Sequence, residues 1–328
     1  MGGDEAPRVV VQGALAAVAE DPHLHVILVG RREQVEPLLD GAPREALSLV
    51  DASDVVGEEA RPAMRVRERP DASVLRTAQL VAEGHADAAV SVGNTGAVLA
   101  SAVLALGLLP GVHRPVVAGE FPSAPGTLFG DLGANSDASA RHLLEFARLA
   151  AMWHSVRYGG ADPSVVLLSN GREPGKGTPR TREAARLLDL EALNFQGYCE
   201  PADVVSGRYD VVITDGYLGN LVLKTVEAVS ARYAEMLFGI AGQTEEDTAR
   251  LQRLGHESHR LSDFTRGPAV TVLGVNGPVL PGHGRAQADD IARLINRAKT
   301  AVVNDDCGQL RRAWSATHGG AVENRREG

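Results

Sequence analysis

The chain has 328 residues, 44% of them hydrophobic and 23% charged, a balance typical of a folded globular protein rather than a disordered one. Its formal net charge of −9 at pH 7 argues against general electrostatic binding to nucleic acid, although a local basic patch stays compatible with it. Cys199 and Cys307 are too few cysteines for a disulfide framework or a cysteine metal cluster, which indicates a reducing compartment.

The first residues, Met1 to Ala6, are mostly small or acidic and lack the apolar run of a secretory signal peptide. Position 6 is Ala, where a myristoylation signal requires Ser or Thr. No stretch of the sequence approaches the roughly 18 uninterrupted apolar residues of a membrane span. We therefore expect a cytoplasmic protein, with peripheral contact at the membrane left open.

Four short runs rich in Val, Ile and Leu predict strands that are buried on both faces. They are Val26–Val29, Ala88–Val92, Val165–Leu168 and Val211–Thr214. Other segments have apolar residues at helical spacing, and one of them, Ala97–Leu109, is apolar enough to be wholly buried. The others are Ser139–Trp153, Thr181–Leu193 and Leu221–Phe238. Alternating strands and helices predict an α/β fold with a mostly parallel sheet flanked by helices.

Two segments depart from this alternation. Two short apolar runs flank Asn276-Gly277, the strongest two-residue signal for a β-hairpin. Residues 240–262 are mostly polar and charged, which predicts an exposed helical excursion that packs on a partner subunit. Because no linker divides the chain, we predict a single α/β domain over residues 1–318 and a disordered tail at 319–328.

Five turns rich in Gly and Asn follow predicted strands or apolar runs. They are 91–96, 130–135, 170–177, 215–220 and 274–277, and His283 follows the last of them between two glycines. Ligands of open α/β sheets bind beyond the carboxyl ends of the strands, where such turns meet. Glycine lets backbone amides approach a ligand, and amides at a helix start attract phosphate. Each turn alone has a steric explanation, but together they predict a phosphate site.

Other motifs give little support for a different chemistry. Gly171 to Lys176 resembles a P-loop, but its spacing is one residue short and Gly177 replaces the required Ser or Thr. His256 and His259 lie in the polar segment, where a solvated face is favoured over a metal site. Cys199 lacks a recognisable His partner, so a buried filler is favoured over a nucleophile. We predict no metal and no cofactor.

Several motifs together resemble the PlsX family of phosphate acyltransferases. They are Met-Gly-Gly-Asp-Glu-Ala-Pro at 1–7, Ser-Val-Gly-Asn-Thr-Gly-Ala at 91–97, Asp-Leu-Gly-Ala-Asn at 131–135, Gly-Lys-Gly at 175–177, Asp-Gly-Tyr-Leu-Gly-Asn-Leu-Val-Leu-Lys at 215–224 and Leu-Gly-Val-Asn-Gly at 273–277. The resemblance runs from Met1 to about Ala298. It implies transfer of an acyl group from acyl carrier protein (ACP) to inorganic phosphate, for phospholipid or related acyl-lipid synthesis. It also implies a homodimer and a fold like those of isopropylmalate dehydrogenase and phosphotransacetylase.

Three features depart from the family pattern. Family members carry a strand before the Met-Gly-Gly-Asp motif, so we expect either that an edge or central strand is missing here or that the start of the chain is misassigned. The turn at Gly267–Thr271 replaces the family's Gly-Gly-Ala-Pro, which is expected to change one wall of the pocket. The excursion at 240–262 is polar where the family's is apolar, which argues against a role at the membrane.

The turn chemistry and the resemblance together assign expected roles to individual residues. We expect Lys176 and Lys224 to hold the phosphate, helped by Asn94 and the amides of Thr95 and Gly96. The remaining predicted substrate-binding residues of the turns are Gly93, Asn135, Gly175, Gly177, Gly216, Gly219 and Gly277.

Acyl transfer also needs groups that manage charge and protons. Asn220 and Asn276 are the predicted donors to the tetrahedral oxyanion. His283 is predicted to protonate the leaving thiolate, with a structural histidine as the equal alternative. Asp131 and Asp215 are predicted to orient the lysines, with a helix cap or a turn acceptor as the alternative.

An acidic ACP requires a local basic patch on a chain of negative net charge. The predicted patch consists of three alternating arginines before a helix that starts near Asp71: Arg65, Arg67 and Arg69. The alternative is a solvated face paired with nearby acids, namely Glu58, Glu59 and Glu68.

Two other functions stay open at this stage. The first is a phosphate acetyl- or butyryltransferase that uses coenzyme A, with a similar fold and phosphate site. The second is a non-catalytic relative that binds ACP without turnover, serving another biosynthetic pathway.

Overall fold

The computed structural model describes residues 1–43, 45–57, 61–160, 162–239, 244–260 and 270–318. The chain forms two compact units: the first unit contains residues 1–117 and 269–328, and the second unit contains residues 118–268. The tail at 319–328 and most of the turn at Gly267–Thr271 lie outside the described residues. This division into units does not test the predicted single domain over residues 1–318, which stays a prediction.

The elements follow the alternation predicted from the sequence. The first unit begins with α1 (Arg8–Glu20), β1 (Val26–Gly30), α2 (Arg32–Val35), a 3₁₀ turn (Glu36–Leu39), β2 (Leu47–Asp51), α3 (Pro62–Glu68), α4 (Ser73–Ala82), β3 (Ala89–Ser91) and α5 (Thr95–Leu106). Then come β4 (Val116–Phe121), β5 (Ala124–Gly130), α6 (Ala140–Tyr158), β6 (Val165–Leu168), α7 (Pro179–Leu188), β7 (Phe195–Cys199), α8 (Pro201–Ser206), β8 (Val211–Ile213), α9 (Gly216–Gly239) and α10 (Glu245–Arg260). The first unit resumes with β9 (Thr271–Leu273), β10 (Val279–Pro281), α11 (Ala288–Val303) and α12 (Asp306–His318).

In the second unit, five strands follow the order β7-β6-β8-β5-β4. Strands β5 to β8 run parallel, and β4 runs antiparallel to β5. All residues of β6 and β8 are buried, as predicted for strands that are covered on both faces. The predicted α/β fold with a mostly parallel sheet is confirmed.

The predicted excursion after α9 is the helix α10, and most of its described side chains are exposed. It packs on α9, where the rings of Phe238 and His256 meet edge-on with centroids 5.1 Å apart. A Cβ at Gly255 would lie 2.8 Å from the Phe238 ring, so glycine permits the close contact between the helices. Among the helices in the described ranges, none combines the length and the apolar character needed to cross a membrane.

The predicted β-hairpin at Asn276-Gly277 is wrong. The strands that flank this turn, β9 and β10, belong to different sheets. Neither Asn276 nor Gly277 has the positive φ that a type I′ hairpin turn requires at both central positions. Instead, the backbone N–H of Asn276 donates to the carbonyl oxygen of Gly107 at 3.2 Å, which packs the turn on the residue after α5.

The helix α5 is less buried than its apolar sequence predicts. It buries the face that carries Ala97, Val98, Ser101 and Ala102. Leu104 on another face is 43% exposed, so the expectation of a wholly buried helix is wrong for this residue. A helix covered from one side buries only one stripe of its surface, whatever the composition of the rest.

Helices α1 and α11 form part of the core of the first unit. In α11, Ile291, Leu294, Ile295 and Ala298 recur at helical spacing and are all buried. A Cβ at Gly13 of α1 would lie 2.6 Å from the Cβ of Ile291, so the missing side chain allows the two helices to approach. Residues of β1, β2 and β10 belong to the same core.

The first unit also contains two separate two-stranded parallel sheets, in which β1 pairs with β2 and β3 pairs with β10. A largely apolar cavity of about 500 Å³ is lined by residues of both sheets, including Val26–Val29 of β1 and Val90 of β3. Met1 also lines it, and a Cβ on Gly30 at the end of β1 would lie 2.6 Å from Met1 Cγ. Burial lowers the pKa of the Met1 amine to about 6.

This cavity makes the family-implied strand before the Met-Gly-Gly-Asp motif testable. We predict that an apolar segment fused to Met1, as long as the 5-residue strand β1, stabilises the first unit by joining its two small sheets. Differential scanning calorimetry should show a higher Tm, by roughly 2–4 °C for each kcal/mol gained. A Gly-Ser segment of equal length is the control, and equal Tm values for the two would contradict the prediction.

Candidate functional site

Three of the predicted turns meet at one edge of the second unit's sheet. Residues 130–135 follow β5, residues 170–177 follow β6, and residues 215–220 follow β8. Because β8 pairs in parallel with both β5 and β6, the three loops leave adjacent strands side by side. The structure therefore brings together the site residues that were predicted in these loops.

Asp131 is fully buried at the end of β5 and holds its own loop in shape. Its Oδ1 accepts the N–H of Ala134 at 3.2 Å. Its Oδ2 accepts the backbone N–H and the side-chain amide of Asn135 at 2.6 and 2.9 Å. These are the contacts of a turn acceptor, the alternative to the lysine-orienting role, and they place Asn135 in the same buried turn.

The first turn of α9 packs tightly on this loop. A Cβ at Gly219 would lie 1.9 Å from the carbonyl oxygen of Asp131, and one at Gly216 would lie 2.7 Å from the nitrogen of Asn135. Any side chain at either position would displace the loop or the helix. The structure thus gives both glycines a packing function, in addition to the substrate contact predicted for them.

Asn220 is exposed on α9, beside Gly133 of the 130–135 loop. Gly133 has a φ of 121°, which favours glycine, and a Cβ there would lie 3.3 Å from Asn220 Cβ. Within the described ranges, the Asn220 amide has no hydrogen-bond partner. Its two N–H groups are therefore available to a ligand, as the predicted oxyanion donor requires.

Asp215 is the first residue of the 215–220 loop, directly before α9. It caps this helix, because its Oδ1 accepts the N–H of Leu218 at 2.9 Å. Its Oδ2 forms an ion pair with Arg180 of α7, and not with one of the predicted lysines. The sequence-based site lacks Arg180. One feature of the sequence could have identified Arg180: it lies in the first turn of α7, where the helix dipole disfavours a positive charge. An arginine at such a position indicates an interaction with an acidic group or an anion.

Lys176 is exposed near the end of the 170–177 loop and has no acidic partner in the part of the chain that the structure describes. Its neighbours Gly175 and Gly177 have φ values of 94° and 83°, which favour glycine. The N–H of Gly177 donates to Oδ1 of Asn170 at 3.0 Å, and Arg182 donates to the carbonyl oxygen of Gly177 at 2.7 Å. The loop therefore presents a charge that no described carboxylate neutralises.

Lys224 has a different environment. Its Nζ lies 2.8 Å from Oε2 of Glu227 on the same helix. Eight residues separate it from Gly216, which places it about 12 Å along the helix axis from the first turn of α9. An exposed pair of this kind contributes little to stability and dissociates at small cost, so the phosphate-holding role of Lys224 stays a prediction.

In the first unit, Asn94 caps α5, because its Oδ1 accepts the N–H of Ala97 at 3.1 Å. The structure shows no acceptor for the amides of Thr95 and Gly96 among the residues that it describes, which is the state that the predicted anion contact needs. Gly93, the residue before the cap, lies against Gly2, where a Cβ would be only 2.6 Å from Gly93 Cα. The backbone of Gly2 therefore occupies the space on one side of the 93–96 turn.

Asn276 has its amide hydrogens engaged by backbone carbonyls. Its Nδ2 donates to the carbonyl oxygens of Leu106 and Leu108 at 3.3 and 3.0 Å. Gly277 packs on the same helix end, since a Cβ there would lie 3.1 Å from Leu106 Cδ2. An oxyanion donor needs an available N–H, so the geometry favours a structural function for Asn276 and leaves Asn220 as the better donor.

His283 accepts the backbone N–H of Arg285 at its Nδ1, with a distance of 3.1 Å. In the neutral ring the proton then lies on Nε2. A proton donor to a thiolate would have to be the protonated ring, so this contact by itself supports the alternative of a histidine that shapes the turn, and the proton-donor role stays a prediction.

The three arginines of the predicted ACP patch differ in environment. Arg65 lies on α3 and pairs with Glu68 at 2.8 Å, and Arg69 donates to the carbonyl oxygen of Val55 at 2.7 Å. Arg67 is exposed, without an ion-pair partner among the described residues. Glu58 and Glu59, the other acids of the alternative interpretation, lie outside the described residues.

Cys199 ends β7 and is fully buried. Burial raises the pKa of its thiol to about 12, so the sulfur stays protonated at neutral pH. A protonated, buried thiol is a poor nucleophile, which agrees with the filler interpretation of this residue.

Comparison with known proteins covers nearly the whole chain. Residues 1–309 match a family described as fatty acid synthesis protein. A phosphate acyltransferase from Salinibacter ruber is 36% identical over 97% of this chain and 96% of its own length. One from Myxococcus xanthus is 37% identical over 97% of this chain and 94% of its own length.

Solved structures show the same fold at low identity. A phosphotransacetylase from Streptococcus pyogenes aligns with a TM-score of 0.58 at 21% identity, over 91% of this chain and 92% of that one. A branched-chain phosphotransacylase from Enterococcus faecalis aligns with a TM-score of 0.54 at 16% identity, over 92% of this chain and 97% of that one. From the full-length family match and the relatives at 36–37% identity, the chain belongs to the fatty acid synthesis protein family, the PlsX family that its motifs resemble.

Proposed function

We propose that this protein is a phosphate acyltransferase that moves an acyl group from ACP to inorganic phosphate. The observation that carries the proposal is the loop edge of the second unit, where Lys176 is exposed without a described acidic partner. Arg180 pairs with Asp215 of the neighbouring 215–220 loop, which also carries Asn220. The curated relatives that bear the name phosphate acyltransferase support the proposal. The product, an acyl phosphate, would supply phospholipid or related acyl-lipid synthesis.

The reaction requires one bond to form and one to break. A phosphate oxygen attacks the thioester carbonyl carbon, and the tetrahedral intermediate collapses with cleavage of the carbon–sulfur bond. The carrier leaves as a thiolate, which takes up a proton, and the acyl group stays on phosphate as a mixed anhydride. Positioning of two bound reactants can supply roughly 7–11 kcal/mol of the barrier reduction.

We assign the charge-bearing steps to side chains that the geometry leaves available. Lys176 binds a phosphate oxygen as a point charge, and Arg180, held by Asp215, offers its remaining donors to the same anion. The amide of Asn220 donates to the oxyanion, a contact typically worth about 2.7–4 kcal/mol in such sites. The anion contacts of the Thr95 and Gly96 amides and the proton-donor role of His283 stay predictions from the sequence.

The proposed function and its alternative differ in the thiol that carries the acyl group, which is ACP in the first and coenzyme A in the second. Phosphate acetyl- and butyryltransferases use coenzyme A, and the fold shared with phosphotransacetylases is compatible with either thiol. We therefore predict acyl phosphate from acyl-ACP and phosphate, and much less from acyl-CoA at equal concentration. The measurement is trapping of the product as a hydroxamate, with the Lys176→Ala variant assayed in parallel.

Lys176→Ala should lower kcat/KM for phosphate by roughly 10- to 150-fold, since a hydrogen bond to a charged group is worth roughly 1.5–3 kcal/mol. Its Tm should stay near that of the wild type, because the side chain is exposed. Product from coenzyme A thioesters alone would favour the runner-up, and product from neither carrier would favour a non-catalytic ACP-binding protein.

We further propose that ACP docks near α3 through Arg67. Arg67 is the member of the predicted patch with no described ion-pair partner, so its charge is the most available to an acidic surface. Arg65, in contrast, forms an ion pair with Glu68. Because the net charge of the whole chain is −9, attraction must come from such a local site and must weaken with added salt.

Arg67→Glu should raise the KM for acyl-ACP several-fold and leave the KM for phosphate nearly unchanged. Arg186→Glu is the matched control, because Arg186 is an exposed helical arginine of the second unit, 3.2 Å from Glu183. The salt dependence of the KM for acyl-ACP should be smaller in Arg67→Glu than in the wild type. Equal effects of the two substitutions would move the docking surface elsewhere.

We also propose that the protein is a homodimer whose interface includes α9. The exposed large apolar residues of this helix are Tyr217, Leu221, Val229, Tyr233, Met236 and Phe238. Three of them, Val229, Tyr233 and Met236, follow i, i+4, i+7 spacing and form a stripe on one face. Large apolar stripes of this kind are unusual on a monomer surface. The mostly polar helix α10 packs beside it and leaves the stripe uncovered in the single chain.

Light scattering at micromolar concentration should give twice the mass of one chain. The double variant Tyr233→Asp with Met236→Asp should shift the mass toward the monomer, because it places charges in an apolar contact. Leu190→Asp is the control, since Leu190 is 84% exposed but lies outside α9. A wild-type monomer, or dissociation by the control alone, would contradict the assignment.

A further inference from the structure

A buried carboxylate of the second unit has no place in the chemistry described so far. Asp203 of α8 is 2% exposed. Its oxygens accept two hydrogen bonds from the guanidinium of Arg172, one from Nε at 2.8 Å and one from Nη2 at 2.5 Å. The bond from Arg172 is the main cause that lowers the pKa of Asp203 below its ordinary value. The pair is therefore charged and bidentate at neutral pH.

Arg172 belongs to the 170–177 loop that carries Lys176. Residues 172–176 are exposed and lie outside helices and strands. Their local order includes one turn hydrogen bond, from the N–H of Lys176 to the carbonyl oxygen of Glu173 at 3.1 Å, so the position of the whole turn depends on how the loop is anchored. On one side of Lys176 the loop is anchored by Arg172 on Asp203. On the other side it is anchored by Gly177, which bonds to Asn170 and Arg182.

We propose that Asp203 is a positioning residue of the phosphate site: by holding Arg172, it fixes the loop that presents Lys176. The inference rests on the phosphate-binding role proposed for Lys176. Asp203 is not itself a substrate ligand, because it is buried and its oxygens are occupied by Arg172, by the N–H of Glu200 and, at 3.5 Å, by Arg208.

Stability alone does not explain this pair. The carboxylate of Asp203 is buried, but the side chain of Arg172 is 45% exposed, so solvent screens their attraction and limits what the pair adds to stability. The bidentate geometry does specify position, since a planar guanidinium on a fixed carboxylate has little freedom. A short helix such as α8 needs only a neutral acceptor at its third position to complete the contact with Glu200.

Asp203→Asn separates these two functions. Asparagine retains an oxygen for the N–H of Glu200 but loses the charge and one acceptor for Arg172. We expect roughly tenfold weaker binding of inorganic phosphate by isothermal calorimetry, about 1.4 kcal/mol, with the KM for acyl-ACP changed less than twofold. Arg172→Lys, which keeps the charge but loses the fork, should show part of the same loss.

A double-mutant cycle identifies the route of the effect. If Asp203 acts through Lys176, then Asp203→Asn should cause no further loss of phosphate binding in a Lys176→Ala background. Additive losses would overturn the proposal, because they would mean an effect independent of the lysine. If Lys176→Ala alone leaves phosphate binding unchanged, the role of Lys176 fails first, and the positioning role fails with it.

Asp210→Asn is the matched structural control. Asp210 precedes β8 at its amino end, and its Oδ2 accepts the N–H and the hydroxyl of Ser164 at 2.7 Å each. Its loss should lower the Tm, as Asp203→Asn should also do, while phosphate binding stays at the wild-type value. Equal losses of phosphate binding in both variants would show general destabilisation and would overturn the positioning role.

Discussion

The parallel pairing of β8 with both β5 and β6 is the constraint on which the second unit's site depends. Strands that share a direction deliver their following residues to one edge, so three loops distant in sequence become neighbours. The strands themselves carry no chemistry, since all residues of β6 and β8 are buried and apolar. Their contribution is to bring loops that are distant in the sequence close together in space.

Close packing then determines the shape of the edge. Asp131 closes the first loop on Asn135, and Gly219 brings α9 against the carbonyl oxygen of Asp131. Asp215 links α9 to α7 through Arg180. The residues proposed to contact substrate, Lys176 and Asn220, are not engaged by this packing. Motif residues in these loops thus divide into some that build the edge and some that face outward.

The sequence predicts the regular parts of the fold well, because they depend on local composition. Val165–Leu168 is a strand with the predicted bounds, and helix α6 begins one residue after the predicted Ser139, which is its N-cap. The turn at Asn276 shows the limit. Its dipeptide favours a hairpin, but its conformation is set by carbonyls of the α5 end about 170 residues earlier in the chain. The partners of Asp215 and Asp203 were also missed, because an ion pair between distant segments leaves no local pattern.

The two cysteines have a consequence for a protein that handles thioesters. A thiolate attacks a thioester readily and would carry the acyl group away on the protein itself. Burial raises the pKa of Cys199 to about 12 and also raises that of Cys307, so both sulfurs stay protonated at neutral pH. Acylation of the protein on these two thiols is thereby disfavoured, which fits the proposed transfer of the acyl group to an oxygen of phosphate.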